Sequence, residues 1–226
     1  GLFPMVFHIV TAYLTVRVMV ADLTESGDVS VVTDHFSWYD ISLVAAGELT
    51  GTINGDTFAA GGEFTLTDNV QTGENINLTI TKNTTIDLNG HTLTISKANQ
   101  YFFVDHGATL TIVDSSNSIQ DTESTVPGDV CGNTATLEND TLTYYITKST
   151  PTGTGTTETL VKHTVPLTGA GKILCQEASE QVILVKGTLE LQSGVLQNTG
   201  GKHIVTVDGG TLNVNGGYIV GGGSNG

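Results

Sequence analysis

Asp87 and Glu190 are the two carboxylates whose spacing could do chemistry, with Thr111 falling between them in a repeated pattern. Two acids flanking a glycosidic bond can hydrolyse it, one protonating the leaving oxygen while the other activates water. Strands stacked about 4.8 Å apart would put Asp87 and Glu190 roughly 9.6 Å from each other. That is close to the span an inverting pair uses, which leaves room for the water. The column Asp87, Thr111, Glu190, Asn213 gains no third carboxylate, however, and its neighbour Asn89, Val113, Gln192, Asn215 holds no acid. A solvated polar face is the expected reading, and no catalytic residue is assigned.

The other reactive side chains are read in the same way. Asp105, Lys186 and Asp208 follow equivalent strand positions and form an acid–base–acid column, expected to pair weakly at the surface. His91, His106 and His203 fall at corners without a repeated neighbour and are read as surface residues. No phosphate-binding loop, Ser-His-Asp pattern or nucleotide fingerprint occurs, so no cofactor is expected. Asn77-Leu78-Thr79, Asn83-Thr84-Thr85 and Asn139-Asp140-Thr141 match the glycosylation acceptor pattern, which is short enough to recur without meaning. The two cysteines, Cys131 and Cys175, lack the paired histidines of a zinc site, and no metal is expected. A Cys131–Cys175 bridge would close a loop of about 45 residues and contribute roughly 4 kcal/mol. Two separate buried thiols are the alternative.

What positions these residues is a repeat of about 23 residues. Leu78 and Ile80 recur as Phe102 and Val104, Ile183 and Val185, then Val205 and Val207, at offsets of 24, 81 and 22. Ile86 and Leu88 recur as Leu110 and Ile112, Leu189 and Leu191, then Leu212 and Val214, at offsets of 24, 79 and 23. A third, weaker strand contains Leu93 and Ile95, and Val195 to Gln197 align with Tyr218 to Val220. One copy cannot bury its own apolar row, so such units stack. Gly-containing corners such as Asn89-Gly90, Ser193-Gly194 and Gly216-Gly217 end the runs, where positive φ lets the backbone turn. The expectation is all-β: a right-handed parallel β-helix over residues 61–226, with Val104, Val185 and Val207 in one interior column.

The offsets of 79 and 81 exceed one repeat by about 56 residues, which marks an insertion at about 115–170. Within it Thr136 to Thr147 and Thr157 to Val165 read as β-rich runs, with a turn over residues 150–156. Insertions in stacked repeats project from one face and often bind something. Tyr144 and Tyr145 are adjacent, so on a strand they face opposite sides. One can fasten the insertion while the other meets a partner, and tyrosine suits recognition of protein or sugar. Tyr144, Tyr145 and Asp140 are therefore candidate binding residues, and Trp38 with Tyr39 forms a second candidate patch. Packing is the competing reading for every one of these aromatics.

Residues 1–60 read as an N-terminal β-module that caps the first repeat. The run at 1–20 is long and nearly uncharged, but Arg17, His8, Pro4 and frequent β-branched residues suit a long strand or a bent pair better than a membrane helix. Val29 to Thr33, Ile41 to Ala45 and Leu49 to Ile53 supply further strands of this module. At the other end the pattern stops in mid-repeat, so coils are expected to continue past residue 226 in a longer polypeptide. Eight basic against 23 acidic residues give a net charge of −15, which leaves no basic stripe for nucleic acid. It also disfavours an anionic membrane, and the acidity is expected to keep an exposed surface soluble. Threonine, at 37 of 226 residues, suits outward strand positions.

GGEFTLTDNVQTGENINLTITKNTTIDLNGHTLTI at 61–95 resembles the opening coils of pectin-lyase-like right-handed β-helix domains. HGATLTIVDSS, KGTLELQSG and DGGTLNVNGGYIVGGG are similar to coils of such domains in large bacterial surface proteins, including those of gut Gram-positive species. The resemblance covers residues 61–226 without the insertion. It implies an extracellular, bacterial cell-surface location. The fold it implies hosts pectate lyases and polygalacturonases, and also adhesins, tailspikes and stalks, so it does not by itself assign an activity. A lyase of this fold needs a calcium-binding acid cluster and a strong base, commonly arginine. Arg17 is the one arginine, and it lies outside the repeats. The expected function is a non-catalytic, adhesin-like binding module for a host protein, such as an immunoglobulin or receptor, or for a glycan. The alternatives are a polysaccharide lyase or hydrolase, or its inactive remnant, and a structural stalk.

Overall fold

The computed structural model describes residues 5–11, 14–20, 41–44, 46–73, 77–127, 134–176, 181–200 and 203–221. Those residues are all β, with no helix among them. The fold begins with β1 (Met5–Thr11), β2 (Leu14–Val20) and β3 (Ile41–Val44), in which β1 pairs antiparallel with both others. Within the run at 1–20, Met5–Thr11 and Leu14–Val20 are thus an antiparallel pair of strands. The strand expected at Val29 to Thr33 lies outside the described residues.

From β4 (Ala46–Ile53) onward the pairing is parallel except within the insertion described below. β5 (Gly62–Thr72) is long enough to serve two sides, its start pairing with β7 (Thr84–Asp87) and its end with β8 (Thr92–Ile95). Later layers break into separate short strands. They are β6 (Leu78–Ile80) with β7 and β8, then β9 (Phe102–Val104) with β10 (Thr109–Val113). An insertion follows, comprising β11 (Thr122–Val126), β12 (Thr136–Glu138), β13 (Thr141–Thr152) and β14 (Gly155–Pro166). The interrupted layer resumes as β15 (Lys172–Cys175), and two more follow. These are β16 (Ile183–Val185), β17 (Thr188–Leu191) and β18 (Val195–Asn198), then β19 (Val205–Val207), β20 (Thr211–Val214) and β21 (Tyr218–Gly221).

The first strands of each layer form one sheet in the order β19-β16-β9-β6. The others form a curled sheet ordered β20-β17-β10-β7-β5-β8-β15-β18-β21, with β4 on β5. One apolar core joins the two, drawing Leu78, Val104 and Val185 from the first and Leu110, Leu189 and Ile173 from the second. Phe58 closes its upper part, edge-on to Phe64 at 5.0 Å and tilted against Phe102 at 6.0 Å. Val104, Val185 and Val207 stand in register on adjacent strands, as expected, but only Val104 and Val185 are interior: Val207, on the last described strand of that sheet, is exposed.

One register differs from expectation. The sequence repeat pairs Ile86 with Leu110, but β7 and β10 pair Thr84 with Leu110 and Ile86 with Ile112. The slip is two residues, so every inward residue stays inward and the core is indifferent to it. Thr84 takes the vacated interior position, buried, with its hydroxyl donated to the Lys82 carbonyl at 2.9 Å.

The third side resolves which residues face in. Leu196 and Ile173 join the interior, while Val195 and Val220 belong to a second apolar cluster on the outer face. Corners are tied by side chains reaching one layer along. Asn69, Asn77 and Asn83 accept the backbone N–H of Thr92, Tyr101 and Thr109 at 2.9, 3.2 and 3.0 Å. Two of the glycosylation-pattern asparagines thus have a structural use.

Candidate functional site

The insertion folds as a four-stranded antiparallel sheet, β11-β14-β13-β12, a flap lying on the third side. Asp114 holds its two ends together. One carboxylate oxygen accepts the N–H of Gly90 at 2.8 Å and of Ser116 at 3.2 Å. The other accepts the N–H of Gly171 at 2.7 Å, where the backbone returns from the flap. The Asp114 N–H itself donates to the Ser193 hydroxyl at 2.6 Å. Asp114 is 4 % exposed, so these bonds satisfy groups that water cannot reach. Gly171 must be glycine, because a Cβ there would lie 2.4 Å from the Leu88 Cβ.

The flap sheet is built by two tight turns. Asn139 and Asp140, both at positive φ, join β12 to β13 as a two-residue hairpin. β13 and β14 pair along their whole lengths, from Thr141 opposite Pro166 to Thr152 opposite Gly155. The turn expected over 150–156 therefore shrinks to Gly153 and Thr154, and Pro151 lies within a strand. Threonine-rich alternation carries the strands outward, and residues 146–158 are exposed.

Tyr144 and Tyr145 separate as their adjacency predicts. Tyr144 packs with Leu142 against Val165, Leu167, Val195 and Val220. Its ring stacks on His163, with centroids 4.5 Å apart and planes 7° from parallel. Its hydroxyl donates to the Asp121 carboxylate at 3.1 Å, and the same oxygen lies 2.8 Å from His163 Nδ1. Burial, then the hydrogen bond to Asp121 and its charge, push the Tyr144 phenol up to about 12. Tyr218 is raised too, by burial first and by the Asp121 charge second. His163 is 4 % exposed and its Nε2 has no hydrogen-bond partner among the described residues, with a Glu123 carboxylate oxygen 3.9 Å away.

Tyr145 is half-buried on the opposite face, across from Lys162, which in turn faces Ser124. Asp140 reaches Lys172 Nζ at 2.9 Å and pins the flap to β15. Its backbone carbonyl also accepts the Leu167 N–H at 2.7 Å. His163 and Asp121 are absent from the sequence-based candidates. One signal in the sequence points to them: the alternation Val161, His163, Val165 in β14, which places the histidine on the apolar face.

Asp87 and Glu190 do not share a column. Thr111 faces Thr85 on one side and Glu190 on the other, while Asp87 faces Val113. The register slip thus widens the expected separation to about 12 Å, two layers plus two residues. Asp87 accepts the N–H of Asn89 and Ser115 at 2.9 Å each, and Glu190 accepts the Asn213 amide at 2.7 Å and that of Asn215 at 3.1 Å. Both act as local structural acceptors. Lys186 lies 3.3 Å from Asp208 at the surface, a pair worth little. Trp38, Tyr39 and Cys131 lie outside the described residues, and Cys175 is buried in the core. No helix among the described residues is long and apolar enough to cross a membrane. Comparison with family models, with curated proteins and with solved structures finds no match.

Proposed function

We propose that this protein is a non-catalytic binding module of a bacterial surface protein, built as a right-handed parallel β-helix of the pectin-lyase-like kind. Supporting the fold reading are the parallel pairings at about one repeat, which link β6, β9, β16 and β19 and their counterparts on the other sides. The hand follows from the strong right-handed preference of parallel crossovers within one sheet. The observation that carries the function is the flap: a four-stranded sheet grafted onto one layer through Asp114, with its hairpin exposed. Ordering some 50 residues that the stack does not need costs about 1–2 kcal/mol per residue of backbone entropy. A recognition role accounts for that cost, whereas a plain stalk does not require it.

The partner is a host protein or a glycan, met by Tyr145 and the polar face around Lys162. The net charge of −15 argues for a neutral or basic partner surface. The test replaces residues 117–168 by a short linker and compares capture from host secretions with the parent protein. Capture should be lost while the stacked sheets stay folded. Equal capture by the deletion variant would move the site to the layer faces. Release of reducing or unsaturated sugar ends from pectin or alginate, abolished by Asp87→Asn or Glu190→Gln, would overturn the non-catalytic reading.

A further inference from the structure

We propose that the groove where the flap leaves the curled sheet binds an uncharged sugar ring, an inference that rests on the binding-module reading and adds to it a contact separate from the Tyr145 face. The groove is open to solvent and offers about 290 Å³. That is at the lower limit of the roughly 300–1,000 Å³ of small-molecule sites, room for a terminal ring and too little for a folded peptide. One wall is the departing arm of the flap, with Asn117, Ser118, Ile119 and Gln120. The rest of the lining is Asp114, Ser193, the corner glycines Gly194 and Gly217, and Tyr218. Gly194 and Gly217 have φ of 86° and 76°. A Cβ on Gly194 would point into the stack, 2.9 Å from Leu88 Cδ1, and one on Gly217 would lie 2.5 Å from the Gly194 carbonyl. Only glycine fits, and bare backbone is left along the groove.

The lining chemistry selects the ligand class. It contains no lysine, arginine or histidine, so a phosphate, sulfate or uronate would enter without a counter-charge and against a net charge of −15. Its one acid, Asp114, already accepts three backbone N–H groups and needs no cation. What remains is a set of neutral hydrogen-bonding groups beside two apolar surfaces. The Asn117 amide nitrogen donates to the Ser115 carbonyl at 3.2 Å, which leaves its oxygen as an acceptor. Ser118 donates to the Gly169 carbonyl at 2.8 Å and accepts from the Ser116 hydroxyl at 3.1 Å, which leaves one lone pair to accept. The Gln120 amide can donate and accept. Tyr218 and Ile119 offer contact for the C–H face of a ring. Vicinal hydroxyls on a partly apolar ring meet all of these demands.

The test uses the full 226-residue protein on an array of neutral and anionic oligosaccharides, followed by calorimetric titration with the best neutral hit. Gln120 is exposed, so Gln120→Trp fills the groove mouth without disturbing the core, which circular dichroism and Tm verify. The expected result is binding to sugars with an uncharged terminal ring, weakened at least about tenfold by Gln120→Trp. Gln120→Ala, which removes one hydrogen-bonding group, should weaken it about fivefold. Binding only to sialylated, sulfated or uronate sugars would overturn the proposal. So would no sugar binding, or neutral binding that Gln120→Trp leaves unchanged. Capture of a host protein that depends on the flap and survives Gln120→Trp would retain the binding module while removing the sugar groove.

Discussion

A buried carboxylate that accepts three backbone N–H groups cannot be shortened without stranding donors, and each stranded donor costs about 1–3 kcal/mol. Asp114 is such a group, and its donors come from three places: the layer before it, its own loop and the segment returning from the flap. Asp114→Ala should therefore destabilise the protein by about 3 kcal/mol or more in denaturant unfolding, and Asp114→Asn by less, since one oxygen remains. Little effect from Asp114→Ala would mean the junction is held elsewhere. Tyr144 offers a test by pH. Burial and Asp121 favour the neutral phenol in the folded state, so the unfolded state gives up this proton first as pH rises. The stabilisation is complete below the ordinary tyrosine value near pH 10 and is lost as pH climbs towards about 12. Tyr144→Phe should flatten the fall in stability over that window, leaving parent and variant closer at its top than at pH 8. Parallel curves for the two proteins would remove Tyr144 from the linkage.

At the level of elements, the flap is closed at its base, because Gly171 N–H lies 2.7 Å from Asp114. A short linker can therefore replace residues 117–168 without pulling β10 and β15 apart. The deletion also uncovers Val195 and Val220, which the flap buries. The variant should keep its β circular dichroism and cooperative unfolding but lose several degrees of Tm, with Val195→Thr partly relieving its surface stickiness. Loss of cooperative unfolding would show that the flap is integral to the stack. These elements were legible in unequal degree. Leu78 to Val207 announced themselves because an apolar row must meet its like one layer away. The slip at Thr84 was not legible, since a two-residue shift preserves the inward face that the pattern reports. Pro151 reads as a turn residue, yet here it sits near the tip of a two-stranded hairpin. His163 and Asp121 are 42 residues apart in a segment with no internal repeat, so only the antiparallel pairing of β11 with β14 brings their surroundings together.

At the scale of the whole molecule, the interior columns become exposed in the last described layer. Val104 and Val185 are fully buried, but Val207, next in the same column, is 45 % exposed. Val214 beside buried Leu191 is 51 % exposed, and Ile219 beside buried Leu196 is 38 % exposed. Among the described residues β19, β20 and β21 form the last layer, and no strand pairs with their outer side. Such an edge offers both unpaired backbone groups and apolar side chains to another strand. Opposing this is the net charge of −15, which repels a second copy. The repulsion acts over roughly 10 Å at 0.1 M salt and only about 3 Å at 1 M, while apolar contact does not weaken with salt. The isolated protein should therefore sediment as a monomer at low salt and shift to larger species at high salt. Val207→Lys with Val214→Lys should hold it monomeric under both conditions, even though two added lysines reduce the overall repulsion. A parent protein that stays monomeric in 1 M salt would show that this edge is already protected, and the exposed valines would then have no role in association.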